Sequence, residues 1–271
     1  MKRFAISTLA CTCALAAISL TGCKKDKEIP PAPTAPAPTA QKSTFYIEFE
    51  QTVDDDPLVL ASQTYSTPAG DQFKVTMFRQ YISNIKLTRA DGSQYVQPES
   101  YYLIDAAVPA SQHIAIKDVP VGDYTGITFT IGVDSARNVS GAQTGALDTN
   151  NNMFWAWNSG YIYTKLEGTS PQASKPPGAT EGGLIFHIGG FKSPNNTIRT
   201  VSPAFPSNTK MLVRTDHSPE IHMNVNIMKM FVGPNPIRFA TLSSTMGGPK
   251  SVLVADNYAA GMFSIEHIHA N

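Results

Sequence analysis

Sulfur is scarce in this chain and poorly placed for chemistry. All three cysteines, Cys11, Cys13 and Cys23, fall near the N-terminus of the 271 residues. A disulfide framework, a zinc ribbon, a CxxC redox pair and a cysteine nucleophile are therefore excluded from the remainder. Charge of one sign is also lacking, since 21 basic and 21 acidic residues cancel. No lysine–arginine cluster is present to track a phosphate backbone, so nucleic acid is not an expected partner. Beyond the N-terminal leader, no stretch reaches the roughly 18 apolar residues of a spanning helix. Catalytic signatures are missing as well. No G-x-S-x-G elbow presents a serine, Gly189-Gly190 and Gly247-Gly248 lack the lysine–serine of a phosphate loop, and paired carboxylates are sparse. Asp148–Asn152 imitates the start of a calcium loop, but Met153 stands where glycine is needed and Ser159 where an acid is needed. The chain is not expected to be an enzyme.

What is present begins with an address. Lys2 and Arg3 precede an apolar run, Phe4–Leu20, of signal-peptide length, which ends in Leu20-Thr21-Gly22-Cys23. That ending looks like a bacterial lipobox, in which small residues admit the peptidase and the Cys23 thiol carries the lipid. Residues 1–22 read as a lipoprotein signal peptide. Residues 23–43 read as the lipidated cysteine and a tether, IPPAPTAPAPTA over Ile29–Ala40, extended and partly polyproline-like. Residues 44–271 read as one domain. Acyl chains on Cys23 would attach it to a membrane without spanning it, and the expected location is the cell envelope at the outer membrane.

Within the domain, period-two alternation dominates. Phe45, Ile47 and Phe49 alternate with Tyr46, Glu48 and Glu50; Ile127, Phe129 and Ile131 share one face; Ile221, Met223 and Val225 oppose Glu220, His222, Asn224 and Asn226. Phe73–Thr88 reads as two strand-like pieces around an irregular middle. Val252–Ala255 and Phe263–His269 read as the closing strands. Short strands, glycine and proline turns, and no convincing amphipathic helix predict an all-β fold, an antiparallel β-sandwich forming a single domain.

Two sets of side chains could carry function. Trp155 and Trp157, the only tryptophans, sit in an aromatic run between loop residues, and their spacing places them on one strand face, where core packing alone would explain them. Among the six histidines, His267 and His269 lie two apart in a predicted strand and project to the same side, as two ligands of one ion could. His222 lies on the polar face of another strand, and His187 opposes Leu184, Phe186 and Ile188. With thiolate absent, a soft or borderline metal would need imidazole, methionine or carboxylate ligands. His113 and His217 are weaker candidates, because a single histidine is most often a hydrogen-bonded structural residue.

The run MFWAWNSGYIYTKLEG (Met153–Gly168), preceded by IGVD (Ile131–Asp134) and followed by FHIGG (Phe186–Gly190), resembles the MbnP-like family. FRQYISNIKL (Phe78–Leu87) and ADNYAAGMFSIEHIH (Ala255–His269) are similar to it too. These are bacterial periplasmic or surface copper-binding proteins, some linked to methanobactin and copper uptake. The resemblance implies a β-sandwich that carries copper. In some members a tryptophan, oxidised to kynurenine by a di-haem peroxidase-like partner, joins histidines as a ligand. Trp155 and Trp157 match the tryptophan motif, and His187 matches the FH-x-G histidine. The methanotroph branch has cysteines near that segment, where this chain has Gly189-Gly190. The expectation is a lipid-anchored copper-binding protein drawing ligands from His187, His222, His267 and His269, with Trp155 or Trp157 nearby. The other reading is a surface domain without metal that contacts a glycan or protein through its aromatic segment.

Overall fold

A computed structural model of the chain describes residues 40–157, 160–269 and 271; the expected signal peptide, Cys23 and most of the tether lie outside them. The strands that frame the candidate sites are, in chain order, β1 (Lys42–Val53), β2 (Gln72–Arg89), β3 (Tyr101–Asp105), β4 (His113–Pro120), β5 (Gly122–Ile131), β6 (Phe154–Trp155), β7 (Gly160–Tyr161), β8 (Thr164–Ser170), β9 (Gly182–Ile188), β10 (Glu220–Asn226), β11 (Ser244–Met246) and β12 (Phe263–His269). A five-stranded sheet has β1 at its centre, with β4 on one side, β10 and then β12 on the other, and the two-residue strand Asp56–Pro57 at one end. A ten-stranded sheet is built on β2, which pairs with β3, β5 and β8, and β8 leads on through β9 to β11.

The inner faces of the two sheets share one core. Phe45, Ile47 and Phe49 of β1 and Ile221, Met223 and Val225 of β10 meet Phe73, Phe78 and Ile82 of β2, Phe129 of β5 and Phe186 of β9 in a single buried cluster. This is the expected all-β sandwich. It is mixed rather than purely antiparallel, because β1–β10 and β9–β11 run parallel. Both parallel partners are far apart in sequence, so intervening elements supply the crossover that parallel pairing requires.

Two local expectations are corrected. Phe73–Thr88 belongs to one strand, whose irregularity is a bulge: pairing with β5 shifts between Ser83 and Lys86, and Asn84 has φ 54°. Tyr81 and Ile82 are both buried because the strand is covered on both faces, Ile82 by the main core and Tyr81 by a second aromatic cluster. Val252–Ala255, read as strand, lies within the helix Pro249–Ala259. Gly247 and Gly248, at φ 76° and 78°, make the turn, and Pro249 sits at the first helical position, where its fixed φ suits the helix. Ser251, Val254, Ala255 and Tyr258 then fall on one buried face.

Candidate metal centre and aromatic cleft

The outer face of the five-stranded sheet collects histidines and carboxylates because its strands align in register. Alternation turns Tyr46, Glu48 and Glu50 of β1 outward while Phe45, Ile47 and Phe49 go into the core. Cross-strand pairing then sets His113, Glu48, His222 and His267 in one row across β4, β1, β10 and β12. The adjacent row holds Tyr46, Glu220 and His269. A bulge in β12 makes this row possible. The pairing shifts between His222 and Met223, so that Met223 faces Ile265 while His222 faces His267, with Glu266 as the extra residue.

His222 is the hub. Its side chain is 16% exposed, and Nδ1 lies 2.9 Å from Glu50 Oε1 and 3.3 Å from Glu48 Oε2. Carboxylates at Nδ1 hold the ring in place, the usual arrangement behind an imidazole that ligates a metal through its other nitrogen. The His267 ring stacks on His222 at 4.1 Å between centroids, 16° from parallel, and His269 stands edge-on at 6.1 Å. One ligand atom each from Glu220, His222 and His269 lie within 4.8 Å of one another, and the same holds for Glu48, Glu50 and His222. Glu220 Oε1 is also 2.8 Å from His113 Nε2, and the His113 ring stacks on Tyr46 at 5.0 Å.

The donor set fits copper. Imidazole and carboxylate are donors it accepts, and the Glu48–Glu50 pair at His222 Nδ1 supplies orientation. Glu48, Glu50 and Glu220 were not among the expected ligands. Their outward alternation was visible in sequence, but the parallel β1–β10 register that delivers them to His222 was not.

The other expected residues lie on the opposite side of the sandwich. His187 faces away from Leu184, Phe186 and Ile188, on the outer side of the ten-stranded sheet, where its Nε2 is 2.9 Å from Glu167 Oε1. Burial lowers the His187 pKa, against the opposing pull of the Glu167 carboxylate. His217 lies between β-strands, with its Nδ1 2.9 Å from Asp216 Oδ1. The structure thus brings together His222, His267 and His269, and leaves His187, Trp155 and Trp157 on another face.

There the tryptophan segment folds over the sheet. Trp155 is 5% exposed and packs in a second cluster with Tyr81, Val133, Leu147, Met153 and Tyr161. Trp157 is 68% exposed, yet its ring lies 5.4 Å from that of Trp155. A cleft of about 530 Å³ opens beside them, lined also by Val139, Lys192, Asn195 and Met246. Its floor demands glycine: a Cβ on Gly189 would come 2.5 Å from the Tyr161 carbonyl oxygen and 2.9 Å from Trp155 Cζ3. Buried Asn138 ties the Ile131–Asp134 turn to this segment. Its Nδ2 donates to the carbonyls of Val133 (2.6 Å) and Asp134 (2.9 Å), and its Oδ1 accepts from Tyr161 N–H at 3.0 Å.

No curated protein matches the chain. Among solved structures, MbnP from Methylosinus trichosporium matches with a TM-score of 0.54 at 14% identity, covering 83% of this chain and 98% of that one, a likeness of fold. The family model named MbnP matches residues 42–247, from the start of β1 to the turn before the closing helix. His267 and His269 lie beyond that match, and Trp155, Trp157, His187 and His222 lie within it. By that match over most of its length, the chain belongs to the MbnP family.

Proposed function

We propose that this chain is a lipid-anchored cell-envelope protein that binds copper on the outer face of its five-stranded sheet and serves in copper acquisition or handling, without catalysing a reaction itself. The observation that carries the reading is the convergence of Glu220, His222 and His269 within 4.8 Å, with Glu48 and Glu50 holding the far side of His222. The copper association implied by the resemblance to MbnP-like proteins agrees with that donor set. Anchoring rests on the lipobox reading of Leu20–Cys23, with the proline-rich tether holding the domain off the membrane. Trp157, exposed where Trp155 is buried, is the tryptophan open to direct contact with a di-haem peroxidase-like partner, and a kynurenine formed there would lie on the opposite face from the proposed copper ligands rather than among them.

The test is metal content of the purified full chain after copper loading and dialysis, compared with His222→Ala. Stoichiometric copper in the wild type, lost in the variant, supports the reading; no retained copper in the wild type sinks it. Mass spectrometry of the tryptophan peptide from native material tests the modification separately.

A second reading has its own observation. Exposed Trp157 beside a cleft that also contains Lys192 and Asn195 is a surface suited to a glycan or protein partner. It needs no metal, and Trp157→Ala would abolish it while leaving copper content unchanged.

A further inference from the structure

Resting on the copper reading above, we propose that the outer-face array takes copper in its cupric state, with Glu220, His222 and His269 as ligands, and discriminates against the cuprous ion. The first ground is the donor set. Cuprous copper is selected by thiolate and thioether, whereas nitrogen and oxygen donors suit the cupric ion. No cysteine occurs after Cys23, and Met223, the methionine on β10, is fully buried on the opposite face of that strand. Exposed Met246 lines the tryptophan cleft on the other side of the molecule.

The second ground is charge. Glu48, Glu50 and Glu220 surround His222 and His113, and their ion-pair partners among the described residues are all histidines, with no lysine or arginine taking them. Glu266 joins the same face, where its Oε1 accepts from Asn224 Nδ2 at 3.3 Å. Attraction to this negative surface scales with the charge of the ion, so a dication gains about twice what a monocation gains. Among first-row dications, nitrogen–oxygen sites bind the cupric ion most strongly, ahead of zinc.

The third ground is reach. Two donors on one ion at bond lengths of about 2 Å stand up to about 4 Å apart, so ligand atoms already within 4.8 Å need little closing. His269, exposed near the end of β12, has the freedom to supply it. His267, stacked flat on His222, braces the ring and stands outside the ligand group.

The experiment titrates the full chain with Cu(II) in air and, separately, with Cu(I) under ascorbate against a cuprous chelator. Bound metal is read after dialysis, and the cupric form by electron paramagnetic resonance. The expected result is stoichiometric Cu(II) with nitrogen hyperfine splitting, and Cu(I) surrendered to the chelator. His269→Ala should weaken Cu(II) by about tenfold or more, and His222→Ala should abolish the signal, with thermal melts showing that both fold. Retention of Cu(I) without Cu(II) overturns the proposal and leaves the copper reading standing. Retention of neither ends both. An unchanged Cu(II) signal in both variants also overturns the proposal, because it places the ion elsewhere.

Discussion

The two outer faces of the sandwich are finished in opposite ways. Over the ten-stranded sheet the chain lays an aromatic cover: Leu147, Met153, Trp155, Tyr161 and Tyr163 bury against Tyr81 and Val133, and Arg79 and Lys165 donate to the carbonyls of Asn151 and Asn152. Over the five-stranded sheet the polar side chains stay accessible, with His267 and His269 exposed and Glu48, Glu50 and His222 partly so. The covered face is built from residues that must fit; the open face is built from residues that can bind. The ten-stranded sheet thus gains a second buried layer while the five-stranded sheet keeps an open polar face, with the shared core between them.

The largest effect that could break this contrast is Trp155→Ala. Removing a buried indole should cost about 3–5 kcal/mol of stability, measured by chemical denaturation, while metal content after renaturation stays unchanged. A loss of stability of that size from His222→Ala instead would show that the open face is structural. Next comes the orienting pair. Glu50→Gln should weaken copper by about tenfold by loosening the hold on His222 Nδ1, with little change in the melt. His113→Leu should act in the opposite direction: freed from His113 at 2.8 Å, Glu220 turns wholly to the metal and affinity rises, as read by competition titration.

A smaller effect sharpens the covered face. Burial holds the folded His187 pKa below the ordinary histidine value of about 6.5, so below that pH the unfolded chain takes up a proton that the folded chain refuses. This contribution to stability is complete above the ordinary value and is lost as pH falls from there toward the folded pKa. His187→Gln should flatten the slope of stability against pH in that window. The smallest effect belongs to Trp157→Ala, within about 0.5 kcal/mol in stability, since the ring is 68% exposed.

Much of the fold was legible because alternation is a local signal. The outward set Tyr46, Glu48, Glu50 and the set Glu220, His222, Asn224 could be read strand by strand. What could not be read was pairing. The parallel β1–β10 register and the β12 bulge together decide that Glu48, His222 and His267 form a row, and neither leaves a mark in local composition. The closing helix was missed because Val252–Ala255 is a short apolar run, ambiguous between strand and helix until Gly247-Gly248-Pro249 is recognised as a helix start. The run around Trp155, the most distinctive in sequence, owes much of its character to packing. Gly189 lies under Trp155, and Asn138 clamps Tyr161. These contacts lie within the segment that the family model matches, whereas the proposed metal array includes His269, which lies beyond it.

The most direct test is to add substoichiometric Cu(II) to the labelled full chain and follow paramagnetic broadening in side-chain NMR spectra. Copper on the outer face should cause early loss of the imidazole resonances of His222, His267 and His269, with the Trp155 and Trp157 indole N–H signals retained. Loss of the indole signals first, with the three histidines unaffected, would contradict it and place the metal in the tryptophan cleft.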